Sequence, residues 1–374
     1  MAFESKLSML SQNELNSLLF QVITFEDALR YLNEELQIRT FTETVSAFTN
    51  LKDEHDLRQY LIKGLCDIET SLGAIANSES ISRNTRNWFS GRTLPDRDNC
   101  IKICFALGLS EQASRAFMLF ATEEGFHFRS PQDLAILFGL RTKMNYAETL
   151  SLIRSMKPLT INTQPDGEPV FTKAVEDAFA YVYDRDAFLQ FYEENFAALG
   201  SMHNTAYYKC FLPFINTLIC PQVSAHFEKE RKYSVEEVVH NYLRMNIPPE
   251  RVTAKHALLQ KTIRKYWPNT SSMIRMRNRT EDVTRKILLL LYLVTGGHQT
   301  SENGDCMDDA LCDTEQFEAH YWKLNAMLSD CGFSLLDPRN MFDWLILYCL
   351  KVGEDELMSE RLQGLLSRVF PETI

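Results

Sequence analysis

An all-helical protein is what this sequence predicts, and three observations predict it. Glycine and proline are sparse, 14 and 12 in 374 residues, so helix breakers are few. Strand-like alternation of apolar and polar residues is rare. Apolar residues instead recur at helical spacing, most clearly in FTKAVEDAFAYVYDRDAFLQFYEENFAALG, from Phe171 to Gly200. A hydrophobic content of 45% with 24% charged residues belongs to a folded chain rather than a disordered one. The length exceeds a single core, which implies several compact parts.

The elements follow in order. Residues 1–55 read as an N-terminal helical segment of short amphipathic helices, for example Asn13 to Leu36. Residues 56–155 hold at least five helical segments separated by tight turns. In SMKPLTINTQPDGEPV, Pro158, Pro165, Gly167 and Pro169 interrupt all periodicity, so residues 156–170 read as a linker. Residues 171–374 read as a larger helical C-terminal domain, suited to dimerisation or signal sensing. It is broken at Pro248-Pro249 and by the acidic loop GGHQTSENGDCMDDALCD, from Gly296 to Asp313. The run ILLLLYLV, Ile287 to Val294, falls far short of the roughly 20 residues that span a bilayer and reads as a buried helix.

One repeat is visible by eye. EGFHFRSPQDLAILFGL (Glu124 to Leu140) and CGFSLLDPRNMFDWLILYCL (Cys331 to Leu350) share Gly-Phe, a short loop, a proline and an apolar helix. In each, glycine suits a helix end and proline suits a helix start. Asp133 and Asp343 then fall in a first helical turn, where the helix dipole favours a carboxylate.

Chemistry-bearing motifs are few. There is no phosphate-binding glycine loop, G-x-S-x-G, H-E-x-x-H or deaminase-type metal signature, and none of the eight histidines has an acid–base or metal partner nearby in sequence. This argues for a non-enzymatic protein with no cofactor. Nine cysteines, Cys66, Cys100, Cys104, Cys210, Cys220, Cys306, Cys312, Cys331 and Cys349, include no C-x-x-C pair. They read as reduced, buried thiols of a cytoplasmic protein rather than disulfides or metal ligands. The N-terminus mixes Glu and Asn into its apolar residues and lacks the pattern of a signal peptide.

Charge is segregated. The net charge is −11, yet Ile81 to Lys102 carries a local balance of +3 and Arg251 to Lys286 one of +8, leaving −22 for the remainder. Segregated charge of this kind reports where partners dock.

The first basic stretch, ISRNTRNWFSGRTLPDRDNCIKICFALGLS, has a readable local logic. Leu57 to Ile68 forms a first amphipathic helix, and SLGAIANS (Ser71 to Ser78) a short second one. Ser82 is placed to cap a third helix from Arg83 to about Phe89. Trp88 and Phe89 face the core, and Gly91 ends the helix in the left-handed conformation. Asp96 caps a fourth helix whose apolar stripe is Cys100, Ile103, Cys104 and Leu107. Arg83, Asn84, Arg86 and Asn87 then lie on or near the exposed face of helix three. Arginine and asparagine make paired hydrogen bonds to guanine and adenine edges in a major groove. Ser82, Thr85 and Ser90 are suitable phosphate ligands, and Arg92 and Arg97 add charge from the flanking loop.

Ile75-Ala76, Ile81-Ser82, Trp88-Phe89-Ser90-Gly91-Arg92 and Pro95 together resemble the helix-turn-helix domain of the XRE/Cro–C1 repressor-like family, over about residues 57–115. The resemblance implies a domain of about five helices that binds operator DNA, usually as a dimer, within a bacterial transcription regulator. Three features depart from the family pattern. Ser80 stands where the turn often has glycine. The interval from Ser82 to Trp88 is one residue short, and Arg86 stands where an apolar residue is usual.

The sequence therefore reads as a DNA-binding transcription regulator. Its partners would be double-stranded DNA, a second copy of the chain, and a protein or small-molecule effector at the C-terminal domain, with no membrane. The alternative is a helical scaffold whose helix-turn-helix docks a protein or structured RNA. The second basic stretch offers Arg264, Lys265, Arg275, Arg277 and Arg279 as another surface for an anionic partner, or as cations that neutralise acidic residues elsewhere in the fold.

Overall fold

The computed structural model describes residues 9–22, 24–73, 77–158, 172–200, 202–219, 256–296, 313–352 and 356–370, with single positions at 234, 237 and 243. Among these, every regular element is helical; the one β-feature is an isolated antiparallel bridge between Glu124 and Phe333. No helix among the described residues is long and apolar enough to cross a membrane. Most of the linker, the Pro248-Pro249 pair and most of the acidic loop anticipated from the sequence lie outside the described residues.

The chain forms two compact units. Unit I is Arg39–Thr205 with Cys331–Ser334; unit II is Met1–Ile38, Ala206–Asp330 and Leu335–Ile374. This partition differs from the one drawn on sequence, in which the chain divided at 55 and at 156–170. Residues 39–55 and 172–205 pack with the central helices of unit I, and the N-terminal residues to Ile38 pack with the C-terminal ones.

Unit I holds α3 (Phe41–Ser46), α4 (Glu54–Ser71), α5 (Ser78–Phe89), α6 (Arg97–Ala106), α7 (Glu111–Thr122), α8 (Pro131–Thr142), α9 (Tyr146–Ser155), α10 (Thr172–Phe179) and α11 (Arg185–Glu194). Side-chain caps start most of them: Asp53, Asn77, Asp96, Ser110, Ser130, Asn145 and Asp184 each accept a backbone N–H of the first turn. What ties α10 and α11 to the centre is specific. Phe138 stacks on Phe188 at 4.7 Å. Arg141 forms a two-bond ion pair with Glu111 at 2.7 and 2.9 Å and donates to the carbonyls of Phe179 and Val182. Arg129 donates to the carbonyls of Ala198 and Met202.

Unit II holds α1 (Met9–Phe20), α2 (Phe25–Arg30), which continues as a π-helical turn to Glu35, and α12 (Leu212–Ile219), which follows a π-helical segment from Thr205. It continues with α13 (Ala257–Tyr266), α14 (Thr270–Arg277), α15 (Arg285–Val294), α16 (Asp313–Asp330), α17 (Met341–Leu350) and α18 (Met358–Val369). The run predicted as a buried helix is α15, with Ile287 through Leu293 all buried. Trp344 of α17 is the largest fully buried side chain among the described residues of unit II, stacked on Tyr31 at 5.4 Å and on Tyr348 at 5.8 Å.

The repeat seen in the sequence extends well beyond the Gly-Phe segments. From Ser82 onward, α5, its turn and α6 match α14 from Thr270, its turn and α15, position for position; the first turn of α5 has no counterpart in α14. Gly91 (φ 69°) corresponds to Arg279 (φ 58°), and Gly108 (φ 61°) to Gly296 (φ 64°), at the same spacing. After α5, the N–H groups of Arg92 and Thr93 both bond the Asn87 carbonyl; after α14, those of Thr280 and Glu281 both bond the Arg275 carbonyl. Buried Thr85 and Trp88 correspond to buried Met273 and Met276. Arg97 and Arg285 are the first residues of their helices, and each clamps the aspartate of the sequence repeat. Arg97 bonds Asp133 at 2.6 Å and the Gly125 carbonyl at 3.1 Å. Arg285 bonds Asp343 at 2.7 and 2.8 Å and the Leu335 carbonyl at 3.1 Å. Each carboxylate also accepts the backbone N–H two residues past that carbonyl, from His127 at 2.7 Å and Asp337 at 2.9 Å. The two units are thus built on one module.

The details of the repeat refine the sequence reading. Pro131 opens α8 directly after its cap, Ser130, but Pro338 precedes α17 and the cap is Asn340. Gly332 does take the left-handed conformation (φ 75°), whereas in the first copy Glu123 takes it (φ 62°). Gly125 has a different role. A Cβ there would meet the Gly332 carbonyl at 3.0 Å, where the two Gly-Phe segments pair through Gly125 N–H to Gly332 O and Ser334 N–H to Glu123 O.

Candidate nucleic-acid interface

α5 carries the sequence-predicted site. Asn77, not Ser82, is its N-cap: the Asn77 side chain accepts the Ser80 N–H at 3.0 Å. The helix therefore starts well before the Arg83 expected from sequence, and Ser82 is a half-buried residue inside it. The second helix expected at Ser71–Ser78 is centred on residues 74–76, Ile75-Ala76 included, which lie outside the described residues. α4 runs to Ser71, Gly73 turns left-handed, and Ser78 already belongs to α5.

The buried side of α5 is Thr85, Trp88 and Phe89. Phe41 of α3 sets its position, meeting Trp88 edge-on at 6.2 Å and Phe89 at 5.4 Å. Thr85 is fully buried, and its hydroxyl donates to the Ile81 carbonyl at 2.8 Å; this removes it from the expected phosphate ligands. Thr85 fills the inward position, and so Arg86, the residue at odds with the family pattern, points to solvent. Gly91 and Asp96 behave as the sequence predicts: Gly91 is left-handed, and Asp96 caps α6 by accepting the Asn99 N–H at 2.9 Å. Cys100, Ile103, Cys104 and Leu107 are all buried.

The opposite side is open. Arg83, Asn84, Arg86, Ser90 and Arg92 are exposed, and Asn87 is half-buried. Arg83, Arg86, Asn87 and Ser90 fall on one helical stripe, with Glu79 on the same stripe a turn earlier. Arg83, Arg86 and Arg92 form no ion pair or hydrogen bond through their guanidinium groups among the described residues. Arg97 contrasts with them. It is held by Asp133 and the Gly125 carbonyl, so it belongs to the scaffold clamp and not to the open face. The fully buried Arg285 in the equivalent place confirms that this arginine position is structural.

The second group of predicted residues divides in the same way. Arg275 pairs with Glu281 at 2.6 Å. Arg279 lies over the rings of Tyr207 at 4.6 Å and Tyr208 at 5.5 Å. Arg264 is half-buried over Phe370 at 5.4 Å. Lys265 and Arg277 are exposed, the Arg277 carbonyl accepting the Tyr207 hydroxyl at 2.8 Å.

Sequence reasoning missed the Arg–Asp clamps. The signal for them was the pair of arginines that open the helices upstream of each repeated aspartate. It also missed Asn77 as the cap, because Ser82 is an equally suitable cap residue by type. No group of three His, Cys, Asp or Glu side chains converges to hold a metal among the described residues. Cys66, Cys100, Cys104 and Cys349 are free thiols, and burial pushes Cys104 up to about 12. No protein-family model, curated protein or solved structure matches the chain.

Proposed function

We propose that the protein is a DNA-binding regulator that reads duplex DNA with the open face of α5, as the resemblance to the XRE/Cro–C1 helix-turn-helix family implies. The observation that carries this reading is the stripe of unpaired Arg83 and Arg86 with Asn84 and Arg92 beside it, on a helix fixed from behind by Trp88 and Phe89. Internal duplication strengthens the argument. At the equivalent positions of the second copy stand Ser271, Ser272, Ile274 and Thr280. The scaffold does not require the basic residues, because the same backbone forms without them. An acidic remainder keeps non-specific attraction to phosphate low, so the local cations direct the chain to bind through one face.

A selection of random duplex DNA by the purified chain tests this, with Arg83→Ala/Arg86→Ala/Asn87→Ala as the control. Enrichment of a motif by the natural sequence alone supports the reading, and each lost base contact weakens specific binding by about 1–3 kcal/mol. Failure of the folded natural protein to enrich any sequence at near-physiological salt refutes it.

A further inference from the structure

We infer that the second copy of the module contributes a further nucleic-acid contact, made by α13 and α14 to backbone phosphates rather than to base edges. This rests on the reading of α5 above. Two independent features lead to it. First, α14 occupies the place of α5 in the duplicated module, shown by the matching left-handed residues, turn hydrogen bonds and arginine clamps. Second, four cations of α13 and α14, Lys261, Lys265, Arg275 and Arg277, are exposed. α13 and α14 are joined by the short turn Trp267-Pro268-Asn269, in which Trp267 is buried with its Nε1–H donated to the Leu243 carbonyl, and Asn269 caps α14. A helix, a tight turn and a second helix is the arrangement that presents a helix to a duplex.

Across this element Lys261, Lys265, Arg275 and Arg277 are exposed. The acids of the stretch are Glu281, which pairs with Arg275, and Asp282. Lys261 and Arg277 have no side-chain partner among the described residues. The chemistry selects phosphate over bases. Ser271, Ser272 and half-buried Ile274 stand where Arg83, Asn84 and Arg86 stand in the first copy. The exposed Ser271 hydroxyl can reach a phosphate oxygen, whereas the Ser272 hydroxyl is committed to Glu281 at 2.5 Å; neither side chain has the paired donors that discriminate bases.

The test measures binding of a fluorescein-labelled mixed-sequence duplex by the full chain across a salt series. Lys261→Gln/Lys265→Gln/Arg277→Gln is compared with the natural sequence and with the Arg83→Ala/Arg86→Ala/Asn87→Ala chain. All three substituted residues in the first variant are exposed, and circular dichroism checks its fold. Each phosphate contact contributes about 0.9 to the slope of log affinity against log salt. The expected result is a slope shallower by about 2–3, with the motif enriched in a random-duplex selection unchanged. Unaltered slope and affinity in this variant, while the α5 variant loses its motif, overturn this inference and leave the reading of α5 standing. Equal weakening toward polyglutamate, with no preference for the duplex, also overturns it. A natural chain that binds no duplex overturns both.

Discussion

Replacing Arg285 with alanine should destabilise the protein far more than the same change at Arg97, although both arginines hold the same clamp. The Arg285 and Asp343 side chains are 2% and 3% exposed, whereas those of Arg97 and Asp133 are 33% and 10% exposed. Arg285 gives two bonds to its carboxylate and a third to the Leu335 carbonyl. Removing it takes the cation from a buried carboxylate that keeps the Asp337 N–H, a loss of about 3–5 kcal/mol. At Arg97, solvent reaches the vacated space, and the cost falls to roughly 1–2 kcal/mol. Urea unfolding of each full-length variant, followed by tryptophan fluorescence and circular dichroism, measures the difference; Trp344 lies in the core of unit II and Trp88 in that of unit I. Equal losses in the two variants, or a loss below about 1 kcal/mol for Arg285→Ala, would refute the view that burial sets the strength of the clamp. A paired replacement of Arg285 and Asp343 by apolar residues of similar size should recover much of the loss, since the penalty comes from the orphaned partner.

Four further outcomes follow from local geometry. Gly139→Ala should cost about 1–3 kcal/mol in the same unfolding assay, because a Cβ there collides with the Thr149 side chain of α9. Asn77→Ala should lower stability by about 1 kcal/mol and raise hydrogen exchange in the first turn of α5, with α6 unaffected. Burial keeps the Cys104 thiol protonated, so the folded state holds its proton more tightly than the unfolded state. Stability should accordingly fall as pH rises past the ordinary thiol range toward about 12. At mildly alkaline pH, Ellman's reagent should modify half-buried Cys66 quickly, and Cys100, Cys104 and Cys349 only after denaturant is added.

Several features were legible in the sequence because they are set within a few residues. Helical periodicity, the scarcity of glycine and proline, the Asp96 cap, the left-handed Gly91 and the buried stripe of α6 all depend on neighbours less than two turns away. The inward Trp88 and the outward Arg83 and Arg86 belong to this class, since α5 alternates its faces by the helical period. The repeated Gly-Phe segment was visible for the same reason: its loop and helix are contiguous. The start of α5 was missed although it is also local: Ser82 has the residue type of a cap, and the structure shows Asn77 in that role.

Tertiary structure decided what depended on distant residues. Helical spacing from Trp88 and Phe89 puts Thr85 on the inward stripe, but nothing near Arg97 in the chain says that Asp133 waits for it. A charged arginine reads the same in sequence whether it faces solvent, as Arg83 does, or a buried carboxylate, as Arg285 does. The division into units was likewise hidden, because it depends on Phe188 reaching Phe138 and Arg141 reaching the end of α10 across long chain separations. The sequence by itself determined which segments are helices and which of their faces are apolar, through periodicity. Which apolar faces meet, and which charges are thereby taken from the surface, was decided only when the chain closed on itself, because burial and pairing depend on neighbours in space.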